Sequence, residues 1–239
     1  MAPDTDLDLD LDISRWPRRA TFEFYRDFEQ PFFSVCTRVD VAALKPALAQ
    51  IKHGSHPATI TLACHFLALQ LANRMDPWRY RLQQGRVRVL AAVHASTTVL
   101  RDDDSFGFAY LRHATDYARF AAPAAQALAA ARTAEPPFEP RVGDAALLHI
   151  TTLPWLHFTS FAHARRGGQS GHNGDKDSVP KIAFGRIDND PTGGPQRWLP
   201  MQLDVHHALM DGVHVGRFVQ AFEAAMRDPL PWLQGGAVP

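Results

Sequence analysis

Between residues 199 and 205 the apolar side chains Leu199, Met201, Leu203 and Val205 alternate with the polar Gln202 and Asp204. That is the period of a strand with one buried face. His207 continues the apolar parity, whereas His206 falls with Gln202 and Asp204. An imidazole at a strand end, directed at apolar surroundings, is partly desolvated and stays neutral near pH 7, the form a general base needs. Asp211-Gly212 then breaks the strand. Val215, Phe218, Val219, Phe222 and Met226 follow at helical spacing. This stretch predicts a strand, a histidine, a turn and a helix.

The same reading organises the rest of the chain. Residues 31–40 alternate through Phe33, Val35, Thr37 and Val39 as a strand. Asp40 is placed to cap a helix bearing Leu44, Leu48 and Ile51, whose first turns accommodate Pro46. After a break at His56-Pro57, residues 58–74 form a helix apolar nearly all round, and therefore buried. Val87 and Val89 mark a strand after the Gln84-Gly85 turn, and residues 97–100 and 106–111 mark two more. The aspartates 102–104 between them lack histidine or glutamate at ligand spacing, so a solvated turn is expected there and no metal site. An alanine-rich helix over 116–132 leads into a proline-bearing connection over 131–140. Residues 165–178 read as a surface loop, and 181–187 as a further strand. Residues 1–12 alternate Asp with Leu; the repulsion among Asp4, Asp6, Asp8, Asp10 and Asp12 favours a frayed acidic tail over a strand. The remainder, 13–239, is expected to be one domain.

Composition removes several function classes. A chain of 239 residues, 46% hydrophobic, builds one sizeable core. Lys+Arg and Asp+Glu are 25 each, so no charge imbalance points to nucleic acid or to a membrane surface. No apolar run has transmembrane length, and the acidic N-terminus is the reverse of a signal peptide. Two cysteines, Cys36 and Cys64, make neither a disulfide framework nor a metal motif, which fits a reducing cytoplasm.

The run H-H-A-L-M-D-G-V-H-V-G-R-F over residues 206–218 resembles the signature of the chloramphenicol acetyltransferase family. Two further stretches agree, in the same order. S-R-W-P-R-R-A-T-F-E-F-Y over 14–25 resembles the family's N-terminal segment, and T-T-L-P-W-L-H-F-T-S-F over 151–161 its S-A-x-P-W-x-x-F-x-S-F run. Condensation domains of nonribosomal peptide synthetases share HHxxxDG but are nearly twice as long. Acyltransferase cores of 2-oxo acid dehydrogenase complexes carry D-H-R where this chain has Ala208.

The resemblance implies an α+β two-layer sandwich, a mixed sheet packed with helices, assembled as a homotrimer with active sites between subunits. It implies direct acetyl transfer from acetyl-CoA to chloramphenicol or a similar alcohol, without a metal. His207 is then the general base and Thr151 the oxyanion donor. Arg18 salt-bridges Asp211, although by composition alone Arg15, Arg18 and Arg19 read as a solvated basic patch. Phe24, Tyr25, Phe33, Phe138 and Phe161 become candidate substrate-binding aromatics, with core packing as the plain alternative for Phe24 and Tyr25. His206 and His214 are expected to be structural. Three departures stand out: Thr151 replaces a serine, Ala183 replaces a threonine beside the reacting centre, and 54–57 lacks the family's K-F-Y-P aromatics. They leave open an acetyltransferase for another alcohol, or a binding protein on this fold.

Overall fold

A computed structural model describes residues 8–51, 56–138, 146–165 and 177–235. The strands are β1 (Leu9–Asp10), β2 (Phe32–Asp40), β3 (Tyr80–Gln83), β4 (Arg86–Val89), β5 (His94–Leu100), β6 (Phe106–Leu111), β7 (Leu147–Thr152), β8 (Lys181–Phe184), β9 (Asp188–Asn189) and β10 (Arg197–His206). The helices are α1 (Arg19–Tyr25), α2 (Leu44–Ile51), α3 (Ile60–Arg74), α4 (Asp76–Arg79), α5 (Tyr117–Ala131), α6 (Gly212–Arg227) and α7 (Leu230–Leu233). The order β2-β10-β8-β7-β5-β6 forms the main sheet, with β9 paired to β10. The neighbours of β10 are antiparallel to it, while β7 runs parallel to both β8 and β5. The mixed sheet packed with helices is thus the α+β architecture expected.

The helix layer explains the sequence pattern. Thr59 caps α3 by accepting the Leu62 N–H at 3.2 Å, and residues 62–72 of α3 are all buried. On the helix-facing side Met201, Leu203 and Val205 pack into one core with Val215, Phe218 and Phe222 of α6. The alternation accounts for only this one of the two faces. Gln202, Asp204 and His206 are also buried, so β10 has two buried faces. The segment after β7 covers the second one. It crosses so closely that a Cβ on Gly185 would lie 3.0 Å from the Leu156 carbonyl oxygen and from the Phe158 ring. The described part of the acidic N-terminus is likewise ordered. β1 pairs with β4, where Asp10 meets Arg86 at 2.8 Å and Arg88 at 3.3 Å, so cross-strand arginines relieve the repulsion expected to fray it. Residues 1–7, and 166–176 of the expected surface loop, lie outside the described residues. Among the described residues no helix is long and apolar enough to cross a membrane.

Two desolvated histidines, one buried and one partly buried, give the fold an acid limit. His65 of α3 bonds the Thr61 carbonyl at 2.7 Å and the Thr97 hydroxyl at 3.1 Å, and burial lowers its pKa to about 4. Burial, helped by the Lys181 charge, lowers His149 to about 4 as well. The unfolded chain takes up these protons first, at its ordinary value of 6.5. Their contribution is complete above that value and is lost as the pH falls toward 4, by roughly 2–3 kcal/mol for each imidazole. The urea midpoint should therefore be flat above neutrality and fall across this window. A midpoint constant from pH 7 to pH 4.5 would contradict it.

Candidate active site

The chain leaves β10 through a tight turn in which every backbone N–H from His207 to Asp211 is bonded. His206 Nδ1 accepts the Ala208 N–H at 3.2 Å, and the His206 carbonyl accepts those of Leu209 and Met210 at 2.9 and 3.0 Å. Asp211 then caps α6. Its side chain accepts a first-turn backbone N–H, while its own N–H donates to His214 Nδ1 at 2.9 Å, which closes a capping box. Arg18, just before α1, grips this turn from the side. Its Nε and Nη2 donate to the two Asp211 carboxylate oxygens at 2.7 and 2.6 Å. Its Nη1 and Nη2 also donate to the carbonyls of Ala208 and His207, at 2.9 and 3.0 Å. The guanidinium lies 5.1 Å from the Trp16 ring. Hydrogen bonds from Arg18 hold the Asp211 carboxyl below the usual carboxylate range. Arg18 is therefore no solvated patch residue: its side chain is 11% exposed and that of Asp211 33%.

His207 sits at the centre of this arrangement. Its N–H donates to the Pro31 carbonyl at 2.7 Å. The ring stacks on Tyr25 at 4.0 Å and 9°, with Phe33 at 4.8 Å. Its Nδ1 lies 3.3 Å from an Asp211 oxygen, and the side chain keeps 30% of its exposure. The parity reading needs correction here. His206, expected outward, is fully buried, and His207 is the histidine open to solvent. The reason is the second buried face of β10. What separates the two histidines is that His207 lies beyond the last paired residue of the strand.

The other candidates are distributed unevenly. Phe24 joins the His207 group through Tyr25, at 4.9 Å, and is itself 64% exposed. Phe138 packs on Phe106 and Phe108 of the edge strand β6, at 4.9 and 5.4 Å. Phe161 lies against Phe158 and His163 on the segment after β7. Thr151 is in register with Ala183 of β8, which is in register with Gln202 of β10. Two strand spacings and five residues along β10 therefore separate Thr151 from His207, roughly 20 Å between Cα atoms. One chain does not bring them together.

Two features escaped the sequence reading. A cavity of about 310 Å³ beside Thr152 is lined by Ile60, Thr61, Cys64, Phe184, Arg186 and Ile187, among others. On the second face of β10, Asp204 is fully buried and accepts from His163 Nδ1 at 2.6 Å, from Gln202 at 3.2 Å and from the Ser34 hydroxyl. Burial alone would raise its pKa; the bonds from His163, Ser34 and Gln202 overcome this and hold it at about 2. The one signal in the sequence was a carboxylate in mid-strand, which periodicity reads as solvent-facing. Among the described residues no cluster of His, Cys, Asp or Glu is arranged to hold a metal.

The clamp makes a stability prediction. Arg18→Met leaves Asp211 and two carbonyls without their donor. The expected cost is about 2–4 kcal/mol, shifted below the ~3–5 kcal/mol of a broken buried pair because Asp211 keeps some exposure. Asp211→Asn should cost less, and the double variant should be less than additive. Thermal unfolding of the three variants checks this; an unchanged midpoint in Arg18→Met would contradict it.

Comparison with known proteins identifies the family. The family profile "Chloramphenicol acetyltransferase" matches residues 9–223. Chloramphenicol acetyltransferase 3 of Escherichia coli is 26% identical over 214 residues, covering 89% of this chain and 94% of the relative. A solved chloramphenicol acetyltransferase structure superposes with a TM-score of 0.77 at 20% identity, over 92% of this chain and all of the other. The cubic core of the pyruvate dehydrogenase multienzyme complex follows at 0.65 and 18%, covering 85% of this chain and 84% of the other. The chain belongs to the chloramphenicol acetyltransferase family and is an acyltransferase.

Proposed function

We propose that this protein transfers the acetyl group of acetyl-CoA directly to a hydroxyl of chloramphenicol, as a cytoplasmic homotrimer with active sites between subunits. The observation that carries the reading is the His207 turn, with its imidazole stacked on Tyr25 and its backbone gripped by Arg18 and Asp211. In this reading His207 Nδ1 carries the hydrogen facing Asp211, and Nε2 offers its lone pair to the acceptor. Nε2 removes the hydroxyl proton as the oxygen attacks the thioester carbonyl, and the carbonyl electrons move onto oxygen. Thr151 Oγ1 donates to that oxyanion. Collapse restores the carbonyl and breaks the C–S bond, and the imidazolium returns its proton to the coenzyme A thiolate. No acyl-enzyme forms. Arg18 and Asp211 hold the turn and move no proton. Tyr25 and Phe33 make the apolar wall beside the imidazole, with Phe24, Phe138 and Phe161 completing the acceptor site.

The roughly 20 Å between Thr151 and His207 in one chain supports a shared site. If both act on one thioester, they come from different subunits. This can be tested by mixing inactive variants. Trimers assembled from His207→Ala and Thr151→Val chains should regain activity, since about a quarter of their sites draw both intact residues from the right subunits. Free-thiol release from acetyl-CoA with chloramphenicol is the assay. No recovery in the mixed trimers would remove the shared site. A second reading, the same chemistry on another alcohol, is favoured by Ala183, which is fully buried in register with Thr151 and supplies no hydroxyl there. Thiol release with other alcohols but not with chloramphenicol would select it.

A further inference from the structure

We infer that His214 is a positioning residue for His207, acting as a neutral hydrogen-bond acceptor at the head of α6. The inference rests on His207 being the base. Its own argument is geometric. His214 Nδ1 accepts the Asp211 backbone N–H at 2.9 Å, so that nitrogen is unprotonated and the ring hydrogen is on Nε2. The contact fixes the residue that Arg18 holds by both carboxylate oxygens, while the same guanidinium holds the carbonyls of His207 and Ala208. The chain of contacts therefore runs from His214 through Asp211 and Arg18 to the backbone of the base. A glutamate or glutamine ordinarily fills this place in a capping box. Histidine differs in that it loses its acceptor when protonated.

The groups facing His214 define when that happens. Arg18 approaches from the segment before α1, Asp211 from the cap and Arg217 from the next turn of α6. Burial, reinforced by Arg18, lowers the His214 pKa from its ordinary value of 6.5, against the opposing pull of Asp211. The neutral acceptor is thus present at neutral pH. It is lost only in acid, where the Asp211 N–H would face a second N–H and the cap would open.

The test is the pH dependence of kcat for the full-length enzyme with acetyl-CoA and chloramphenicol, in wild type, His214→Gln and His214→Ala. Glutamine keeps an acceptor oxygen and does not titrate; alanine removes the acceptor at every pH. We expect kcat at neutral pH to fall on the order of tenfold in His214→Ala, as for a small misplacement of the base, and to be largely restored in His214→Gln. On the acid side wild type should lose activity more steeply than one proton allows, and His214→Gln should follow a single-proton curve. Identical acid limbs in wild type and His214→Gln overturn the inference, as does a His214→Gln enzyme as impaired as His214→Ala. If His214→Ala does not fold, the acid limbs of the other two still decide. A second readout needs no turnover: the ring-proton resonance of His207 should shift in His214→Ala and return in His214→Gln. If wild type transfers no acetyl group while this signature holds, the proposed reaction fails and the positioning role stands. An unmoved His207 resonance in His214→Ala overturns the positioning role even where the reaction is confirmed.

Discussion

His207→Ala is expected to leave the protein folded and to lower kcat by ~10²–10⁴, the range for removing a positioned general base. The structure separates this effect from a folding defect. The His207 side chain is 30% exposed, and the contacts that shape the turn run through backbone atoms that alanine retains. What alanine removes is the imidazole stacked on Tyr25. His206→Ala should behave differently. It deletes a fully buried ring whose Nδ1 accepts the Ala208 N–H, so its loss should appear first as lower thermal stability. Thiol-release kinetics beside an unfolding midpoint for each variant distinguishes the two. A larger kcat loss in His206→Ala than in His207→Ala, at equal stability, would reverse the assignment of the base.

The strand, turn and helix around His207 were legible because each is encoded locally. Alternation marks β10, Asp211-Gly212 marks the break, and Val215, Phe218 and Phe222 recur on the face that α6 buries. The errors all concern partners remote in sequence. Asp204 looked solvent-facing because periodicity sees one strand at a time. It is buried because Ser34 and His163 converge on it from two other segments, 170 and 41 residues away. Asp10 looked destined to fray because its nearest neighbours in sequence are also acidic, and Arg86 is 76 residues on. In each case a polar or charged partner from another element reversed the solvation argument.

The site divides in the same way. The Arg18 contact to Asp211 spans 193 residues, and only the resemblance could suggest it; charge pattern alone favoured a solvated patch. The distance between Thr151 and His207 is not encoded in their spacing at all. It follows from β8 lying between β7 and β10, a consequence of strand order. The cavity beside Thr152 is similarly built from α3, β8 and β10 together, and no single stretch announces it.

Thr151→Val keeps the shape of the side chain and deletes its O–H. In β7 the residue is paired with Ala183 of β8, and valine has the same β-branched shape, so valine should occupy the same backbone position without loss of fold. Because the hydroxyl would act only on charge that develops during transfer, the loss should fall on kcat, by up to ~10²–10³, with little change in KM for either substrate. Threonine is a constrained donor. Its β-branch restricts χ1, so the O–H reaches the oxyanion only when the methyl turns away from the acetyl group. Ala183, directly in register, is fully buried and offers no second hydroxyl to share the task. Thr151→Ser frees the rotamer and should retain or raise kcat. The ordering serine at or above threonine, and threonine far above valine, is the signature of an O–H donor. It should be measured at saturating acetyl-CoA, where binding differences drop out. Equal kcat in Thr151→Val and wild type would mean that the oxyanion is held by another group, and that Thr151 serves the sheet alone.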